Sequence, residues 1–556
     1  MMKPRILAPG LSPLYYLENF DRLIAFVQAR YPDLLGEDES LFLERFRCCP
    51  EPSRALFVRL SMRKPLVFHA SRVDYPEIGD ALVAAEPLVD AGLMAIVTAE
   101  RAVAELGLGT LEVLGAYTRA ALADHLKARG QKVLSNAPRA SVEAATVESE
   151  GGLNALLAAQ PLLVPLAGEA VAMWLFLFFG NRHQDLSEFV LEPVGSMKFE
   201  PYRIDPASRP FASRGEVDAR LALGECADEI GEAEVDGDFA RIGRCMRRAA
   251  RLVRAEPSLT HHLWRLRARV GRIYERAHEW ERALRAYAQC PLPPARERRG
   301  RVLERCGRWR AAWNQLQRIE KDPLGLEERE YLRTAKPRVA KKLGRTVPAQ
   351  ADRFVTLKIT CQRAASVEAA VLEHLAPRWR GFHLENAVWC ALFGLVFWDI
   401  IFMPLRGAFY HPFQREPADL RSGVDFYSRR KEWIGERLQR LGAQQFTKDD
   451  ILRRFDEKYR TANAFVAWNR IERSHLELVL GHMPTTQLAR LLGRMAEDVW
   501  NLSSGLPDLF VATSDGRYQL VEVKGPGDQL RPNQKAWLRF FAEAEIPAAV
   551  ARVSWA

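Results

Sequence analysis

Residues 505–537 read GLPDLFVATSDGRYQLVEVKGPGDQLRPNQKAW, and this stretch decides the fold of the C-terminal part of the chain. Leu509 to Ala512 is a short apolar run typical of a buried strand, and residues 514–516 (SDG) predict a turn. Tyr518 to Lys524 alternates like a second strand. Together these segments predict a β-hairpin.

The predicted hairpin gathers acidic and basic side chains at one edge of a small sheet. Because side chains on a strand repeat every two residues, Glu522 and Lys524 point to the same side. Val521 and Val523 point the other way, into the protein. Asp508 stands at the mouth of the first strand. The pattern therefore predicts two carboxylates and one ammonium group converging on a single site.

Two convergent carboxylates suit a hard divalent cation. Mg²⁺ and Mn²⁺ prefer oxygen ligands, and a metal held by one or two carboxylates keeps positions open for a phosphate. Such a metal polarises the phosphoryl oxygen and makes water nucleophilic, while a nearby lysine orients that water or offsets the developing charge. The chemistry predicts phosphodiester hydrolysis, although an Asp with Glu-x-Lys is by itself common on solvated hairpins.

Longer motifs around these residues make the pattern specific. The PD pair at 507–508, followed by EVK at 522–524, resembles the PD-(D/E)xK nuclease motif. The run LVEVKGPGDQL at 520–530, followed by Gln534 and Trp537, resembles the VRR-nuclease branch of that group. This resemblance implies an α/β nuclease domain at the C-terminus.

Length and composition bound the class of protein. The 556 residues are enough for three or four domains, and the 48% of hydrophobic residues can fill their cores. The formal net charge of +10 favours a polyanionic partner without requiring one. The eight cysteines form no Cys-x-x-Cys pair and no Cys/His cluster at zinc spacing, which predicts reduced thiols in a cytosolic protein.

The apolar segments indicate no membrane insertion. The opening residues MMKPRIL lack the hydrophobic core of a signal peptide. The runs at 170–179 and 387–398 are shorter than the roughly 20 residues that cross a bilayer. We predict that both runs are buried helices.

Changes in pattern divide the chain into four predicted domains. Residues 1–80 form a helix-rich N-terminal module ending in a small wing, for which residues 55–60 are predicted to be extended. Residues 81–235 form a helical block, 236–352 a set of helical repeats, and 353–556 the nuclease domain. The predicted fold class is multidomain and mostly α, with a C-terminal α/β domain.

Two basic stretches in the N-terminal half are candidate DNA contacts. Arg63 and Lys64 lie in a turn at the wing, where a DNA-docking surface and a solvated basic turn are the alternatives. The stretch from Leu111 to Arg129 predicts two short amphipathic helices around a Gly-Ala-Tyr turn, and it resembles a SAP-type DNA-binding motif. On that resemblance Lys127 is a candidate phosphate contact, with simple packing as the alternative.

The third predicted domain contains an internal repeat. GRIYERAHEWERAL from Gly271 realigns on GRVLERCGRWRAAW from Gly300. Small residues at helix crossings and a tryptophan at the bend suit stacked helix pairs, so the block resembles tetratricopeptide repeats. It is also rich in arginine, with glutamates interleaved. A nucleic-acid-binding face and a solvated face with ion pairs are the alternatives.

A further acid lies far from the hairpin in sequence. Glu385 in the run HLEN stands where an almost wholly apolar helix begins, and a carboxylate there is costly unless a positive group meets it. From the chemistry alone, a partner of the helix dipole and a metal ligand are both open. Asp399, predicted inside the same helix, is the rival acid. The runs HLEN at 383–386 and WDIIFMP at 398–404 resemble the Fanconi-associated nuclease family.

That resemblance extends over the whole order of domains and implies a bacterial member of the family. It implies a structure-selective DNA nuclease that cuts near 5′-flap junctions, has 5′-to-3′ exonuclease activity and acts in interstrand-crosslink repair. It also implies a site in which Asp508, Glu522, the carbonyl of Val523 and Glu385 hold Mg²⁺ or Mn²⁺. Lys524 would position the attacking water, and Gln534 is a candidate DNA contact.

The expected partner is branched DNA, a 5′ flap or a nicked or junction duplex, bound by a monomer in the bacterial cytoplasm at the nucleoid. One alternative is a Holliday-junction resolvase, which small stand-alone VRR-nucleases resemble. Another is a catalytically inactive scaffold that only clamps DNA.

Overall fold

The computed structural model describes residues 12–63, 67–134, 136–149, 161–184, 198–348, 352–376, 378–422 and 425–556. These residues divide into two compact units, one before residue 197 and one from there onward. Within the described ranges, no helix is long and apolar enough to cross a membrane. The two apolar runs form helices with buried faces, as predicted.

The first unit begins with three helices whose apolar residues recur at helical spacing. They are α1 (Tyr15–Arg30), α2 (Glu37–Cys48) and α3 (Glu51–Ser61). The prediction that residues 55–60 are extended is wrong, because they form the middle of α3. Every apolar residue in this segment is buried, and a short apolar run does not show whether the buried element is a helix or a strand.

The small wing is an antiparallel three-stranded sheet in the order β1–β3–β2. Its strands are β1 (Phe68–His69), β2 (Met94–Val97) and β3 (Leu162–Pro165). The other α-helices in the described residues of this unit are α4 (Ala81–Asp90), α5 (Ala99–Ala104), α6 (Thr110–Gly115), α7 (Arg119–Ala128), α8 (Arg139–Glu148) and α9 (Gly168–Phe179). Helices α6 and α7 flank residues 116–118, which confirms the predicted helix–turn–helix.

The second unit starts with antiparallel helices. They are α10 (Arg214–Asp236), α11 (Phe239–Ala255), α12 (Thr260–Arg276), α13 (Trp280–Ala288), α14 (Ala295–Arg305), α15 (Trp309–Lys321) and α16 (Gly325–Lys342). A Cβ atom on Gly271 would overlap the ring of Tyr287, and one on Gly300 would overlap Tyr331. Each tyrosine hydroxyl donates to the glutamate four residues after its glycine. The sequence repeat is therefore a packing repeat.

The remaining helices and strands form the nuclease domain. They are β4 (Thr356–Cys361), α17 (Val367–Leu375), β5 (Arg380–His383), α18 (Ala387–Val396), α19 (Trp398–Ile401), α20 (Asp425–Gly442), α21 (Lys448–Glu457), α22 (Arg473–His482), α23 (Thr485–Glu497), α24 (Val499–Leu502), β6 (Leu509–Ala512), β7 (Tyr518–Lys524), α25 (Pro532–Glu543) and β8 (Ala548–Trp555). The hairpin of β6 and β7 has the predicted bounds.

The nuclease sheet runs in the order β4–β8–β7–β6–β5. Strand β8 is parallel to β4 and β7, whereas β5, β6 and β7 are antiparallel to one another in turn. Val521 and Val523 pack on one face with Val371 of α17, and Leu520 packs on the other with Trp537 of α25. Because the strand alternates, Glu522 and Lys524 share the face of Leu520. The α/β nuclease fold is confirmed.

Candidate active site

The hairpin holds Asp508 against the main chain of the neighbouring strand. Leu509 pairs with Val521, so Asp508, just before β6, lies beside the end of β7. Its Oδ2 accepts a hydrogen bond from the main-chain N–H of Val523 at 2.7 Å. Burial raises the pKa of Asp508, while this N–H and the charge of Lys524 act in the opposite direction. The structure thus brings Asp508 and the main chain of Val523 together.

Glu522 lies almost wholly inside the protein, with 1% of its surface exposed. Its Oε1 accepts hydrogen bonds from Lys524 Nζ at 2.6 Å and from Gln534 Nε2 at 2.5 Å. Burial and the neighbouring charge of Asp508 raise the pKa of Glu522 to about 7, against the lowering effect of Lys524. Two acids that repel one another in a buried place favour a cation between them.

The side-chain amide of Gln534 is engaged at both ends inside the protein. Its Oε1 accepts from the main-chain N–H of Arg531 at 2.9 Å, which caps the start of α25. With the oxygen directed at this N–H, the amide nitrogen faces Glu522. The cap thereby fixes which end of the amide meets the carboxylate. Gln534 was predicted as a DNA contact, and its role on DNA stays a prediction.

Glu385 reaches the site through its backbone. Strand β5 pairs with β6, and His383 lies opposite Leu509. Two residues later, the N–H of Glu385 donates to the carbonyl of Asp508 at 3.3 Å. The Glu385 side chain is 52% exposed, and its Oε1 lies 4.0 Å from His383 Nε2. The fold therefore places Glu385 beside Asp508, with its carboxylate directed partly to solvent.

The rival acid Asp399 forms ion pairs with two arginines. Helix α18 ends at Val396, so Asp399 lies in the next helix and not inside α18 as predicted. It pairs with Arg437 at 2.6 Å and with Arg454 at 3.1 Å. Burial acts to raise the pKa of Asp399, but the hydrogen bond and charge of Arg437 and the charge of Arg454 outweigh it and lower the pKa. Both arginines also donate hydrogen bonds to the Val396 carbonyl, so they cap the C-terminal end of α18.

The acids fit a divalent cation by their donor chemistry. In the part of the chain that the structure describes, no three His, Cys, Asp or Glu side chains already converge closely enough to hold a metal. Asp508 Oδ1 and Glu522 Oε2, however, receive no hydrogen bond from any described residue. Free carboxylate oxygens are the ligands that Mg²⁺ and Mn²⁺ prefer. Glu385 would join these two acids by turning its side chain.

Comparison with known proteins places this site in a family. The model described as FAN1, HTH domain matches residues 14–95, and the VRR-NUC domain model matches residues 443–555. The Fanconi-associated nuclease 1 homolog of Pseudomonas aeruginosa is 33% identical over 99% of this chain and 97% of its own length. The chain belongs to the Fanconi-associated nuclease family. The human Fanconi-associated nuclease 1 is 26% identical over 97% of this chain and 62% of its own length.

Solved structures agree with this assignment. A crystal structure of paFAN1 bound to 2nt 5′flap DNA with gap matches this Fanconi-associated nuclease with a TM-score of 0.83 and 32% identity, over 99% of this chain and all of that one. A second, bound to 1nt 5′flap DNA with gap, matches with a TM-score of 0.81 and 31% identity, over 98% of this chain and all of that one. The resemblance predicted from the hairpin motifs is confirmed, and the chain is a nuclease.

Two of the three candidate DNA contacts in the N-terminal half occupy exposed positions. Arg63 is exposed and lies 5.4 Å from the centre of the Tyr75 ring. Lys64 lies outside the described residues. Lys127 is exposed at the end of α7 and pairs with Asp124 at 3.2 Å. A surface ion pair of this kind is weak, so it leaves Lys127 available to a phosphate.

Sequence reasoning missed several neighbours of the acids in this Fanconi-associated nuclease. The charges of His383 and Glu368 both act on Asp508. Asn386 Oδ1 accepts a hydrogen bond from the N–H of Leu506. The position of His383 and Asn386 on either side of Glu385 in the HLEN run was a usable signal. No sequence signal pointed to Glu368, because only the packing of helix α17 against the sheet brings it near Asp508.

Proposed function

We propose that this Fanconi-associated nuclease hydrolyses DNA phosphodiester bonds near 5′-flap junctions with a divalent cation, Mg²⁺ or Mn²⁺. We also propose 5′-to-3′ exonuclease activity and a role in interstrand-crosslink repair in the bacterial cytoplasm. The observation that carries the proposal is the half-buried Asp508 beside the end of β7, with the buried Glu522 on that strand and Lys524 Nζ 2.6 Å from Glu522 Oε1. The substrate is supported by paFAN1, which was crystallised with 5′ flap DNA.

Asp508, Glu522, the carbonyl of Val523 and Glu385 are the residues that would hold the cation. A bound Mg²⁺ or Mn²⁺ supplies Lewis-acid polarisation of the phosphoryl oxygen and a nucleophilic water. Glu522 would contribute an oxygen from the protein interior, Asp508 one from a half-buried position, and Glu385 one from the solvent side.

Lys524 has a separate task. Its ammonium donates to Glu522 in the structure, which holds it on the same face of β7 as the acids. During cleavage this ammonium turns to the attacking water, orienting it and offsetting the negative charge that grows on the phosphoryl group. Lysine suits the task because its ammonium is a compact charge with three rotatable donors.

The proposal is tested by cleavage of labelled 5′-flap, 3′-flap and four-way DNA with Mg²⁺, Mn²⁺ or EDTA. We expect cutting of the 5′ flap near its junction, dependent on metal, and a loss of at least about a hundredfold in Asp508→Asn and Lys524→Ala. Asp515→Asn is the matched control, because Asp515 is an exposed acid in the turn of the same hairpin, paired with Arg517. It should cut like the parent.

Other outcomes would favour the alternatives. Preferred, symmetric cutting of the four-way substrate by a dimer would indicate a resolvase. Binding of DNA with no cleavage under any metal condition would indicate an inactive scaffold. Full activity of Asp508→Asn would remove the hairpin acids from the mechanism.

A further inference from the structure

Two hydrogen bonds tie the connection between β5 and α18 to the segment that carries Asp508. The main-chain N–H of Leu506 donates to Asn386 Oδ1 at 3.0 Å. The N–H of Glu385 donates to the carbonyl of Asp508 at 3.3 Å. Pro507, between Leu506 and Asp508, has no N–H to offer. Both ends of this three-residue segment are therefore held by consecutive residues from a distant part of the chain.

Asn386 does not serve its own helix. An asparagine at a helix start usually accepts a hydrogen bond from the second or third N–H of that helix. Asn386 directly precedes α18, but its side chain makes no such cap, and its backbone has helical angles of −74° and −16°. The amide oxygen is directed to Leu506 instead. Helix α18 thus lacks a side-chain cap from Asn386, because the Asn386 side chain instead stabilises the segment at residues 506–508.

Glu385, which makes one of these two contacts, has an unfavourable backbone conformation. Glu385 has a φ of +47°, in the left-handed region that costs a residue with a Cβ roughly 1–2 kcal/mol. Such a conformation persists only where the surroundings enforce it. Pairing of His383 with Leu509 enforces it from the strand side, and the bond from Leu506 to Asn386 does so from the helix side.

We propose that Asn386 is a positioning residue that sets the place of Glu385 relative to Asp508 and so the affinity of the site for its divalent cation. The inference rests on the proposed metal-dependent nuclease function. Without the bond to Leu506, Glu385 relaxes from the left-handed region, and the third acid lies farther from the two hairpin acids. Two of the three acids would then be held in place, while Glu385 would have to be ordered when the cation binds. The cation would therefore bind less tightly.

The test measures Mn²⁺ binding to the full chain by calorimetry without DNA, and cleavage of a 5′ flap as a function of Mn²⁺ concentration. For Asn386→Ala we expect a Mn²⁺ dissociation constant and a half-saturating Mn²⁺ concentration about three- to tenfold higher, as for one lost hydrogen bond. The rate at saturating Mn²⁺ should stay within about threefold. Asn386→Asp keeps an acceptor oxygen for the Leu506 N–H, so its Mn²⁺ dissociation constant and half-saturating Mn²⁺ concentration should lie close to those of the parent.

The same two substitutions at Asn463 are the matched controls. Asn463 Oδ1 accepts a hydrogen bond from the main-chain N–H of Phe465 at 2.9 Å, which is the same kind of bond, and the residue packs against Gly394 of α18. Neither control should move the Mn²⁺ requirement. An equal shift at Asn463 and Asn386, or a lower melting temperature of Asn386→Ala with an unchanged Mn²⁺ requirement, would overturn the proposal. A parent protein that binds no Mn²⁺ and cuts in EDTA would overturn the proposed function itself.

Discussion

Replacing Gln534 with alanine removes one donor from the buried carboxylate at the centre of the site. Gln534 Nε2 lies 2.5 Å from Glu522 Oε1, the oxygen that also accepts from Lys524. Without the amide, Lys524 is the one hydrogen-bond donor left to Glu522 among the described residues, and the proposed mechanism needs Lys524 for the attacking water. We expect the substitution to lower kcat more than it raises KM, because it disturbs orientation at the reacting centre.

The size of the effect follows from the type of bond. A hydrogen bond to a charged group contributes about 1.5–3 kcal/mol. At 1.36 kcal/mol for each factor of ten, kcat/KM should fall by roughly 10- to 150-fold. Gln534 Oε1 also caps α25 by accepting from Arg531, and loss of a cap costs about 1 kcal/mol of stability. Thermal unfolding separates the two effects, because loss of the cap lowers stability whereas loss of the bond to Glu522 lowers the rate of cleavage.

The assay is steady-state cleavage of a labelled 5′ flap over a range of flap concentrations at saturating divalent metal, with thermal unfolding followed by circular dichroism. Gln534→Glu should cut at least as poorly as Gln534→Ala and should melt below the parent, because its carboxylate would lie against the carboxylate of Glu522. Gln487→Ala is the control, because Gln487 bridges Tyr518 and the carbonyl of Glu545 away from the acids. It should cut within about threefold of the parent. If Gln534→Ala also cuts at the parental rate while folded, Gln534 does not orient Glu522.

Three further outcomes are expected. Glu385→Gln should abolish cleavage but spare flap binding in a gel-shift assay, and ordinary cleavage would exclude a role for Glu385. Gly300→Ala should lower the free energy of unfolding by about 1–3 kcal/mol, because its Cβ overlaps Tyr331, whereas Gly243→Ala has ordinary contacts and should not. Burial raises the pKa of Glu328 to about 7, so its folded form holds a proton that the unfolded form has lost between about pH 4.5 and 7. The contribution of Glu328 to stability therefore falls as pH rises through that window. The melting temperature of Glu328→Gln minus that of the parent should increase from pH 5 to pH 8, and a constant difference would contradict this.

The sequence by itself determined the elements whose pattern is local. The period-two alternation of Tyr518–Lys524 and the turn before it specified the hairpin and put Glu522 and Lys524 on one face. The PD and EVK motifs indicated a nuclease, the runs HLEN and WDIIFMP indicated the Fanconi-associated family, and the glycine repeat indicated the stacked helices. Residues 55–60 were assigned wrongly because a continuous apolar run has no period by which to tell strand from helix.

Only the tertiary structure decided what meets across long stretches of chain. The main-chain bond from Glu385 to Asp508, the capture of Leu506 by Asn386 and the pairing of Asp399 with two arginines all join segments that are far apart in sequence. Such contacts depend on how helices and strands pack, and one sequence records no partner for a residue beyond its near neighbours. The choice between Glu385 and Asp399 needed those partners, because two acids at the ends of one apolar run have the same local chemistry.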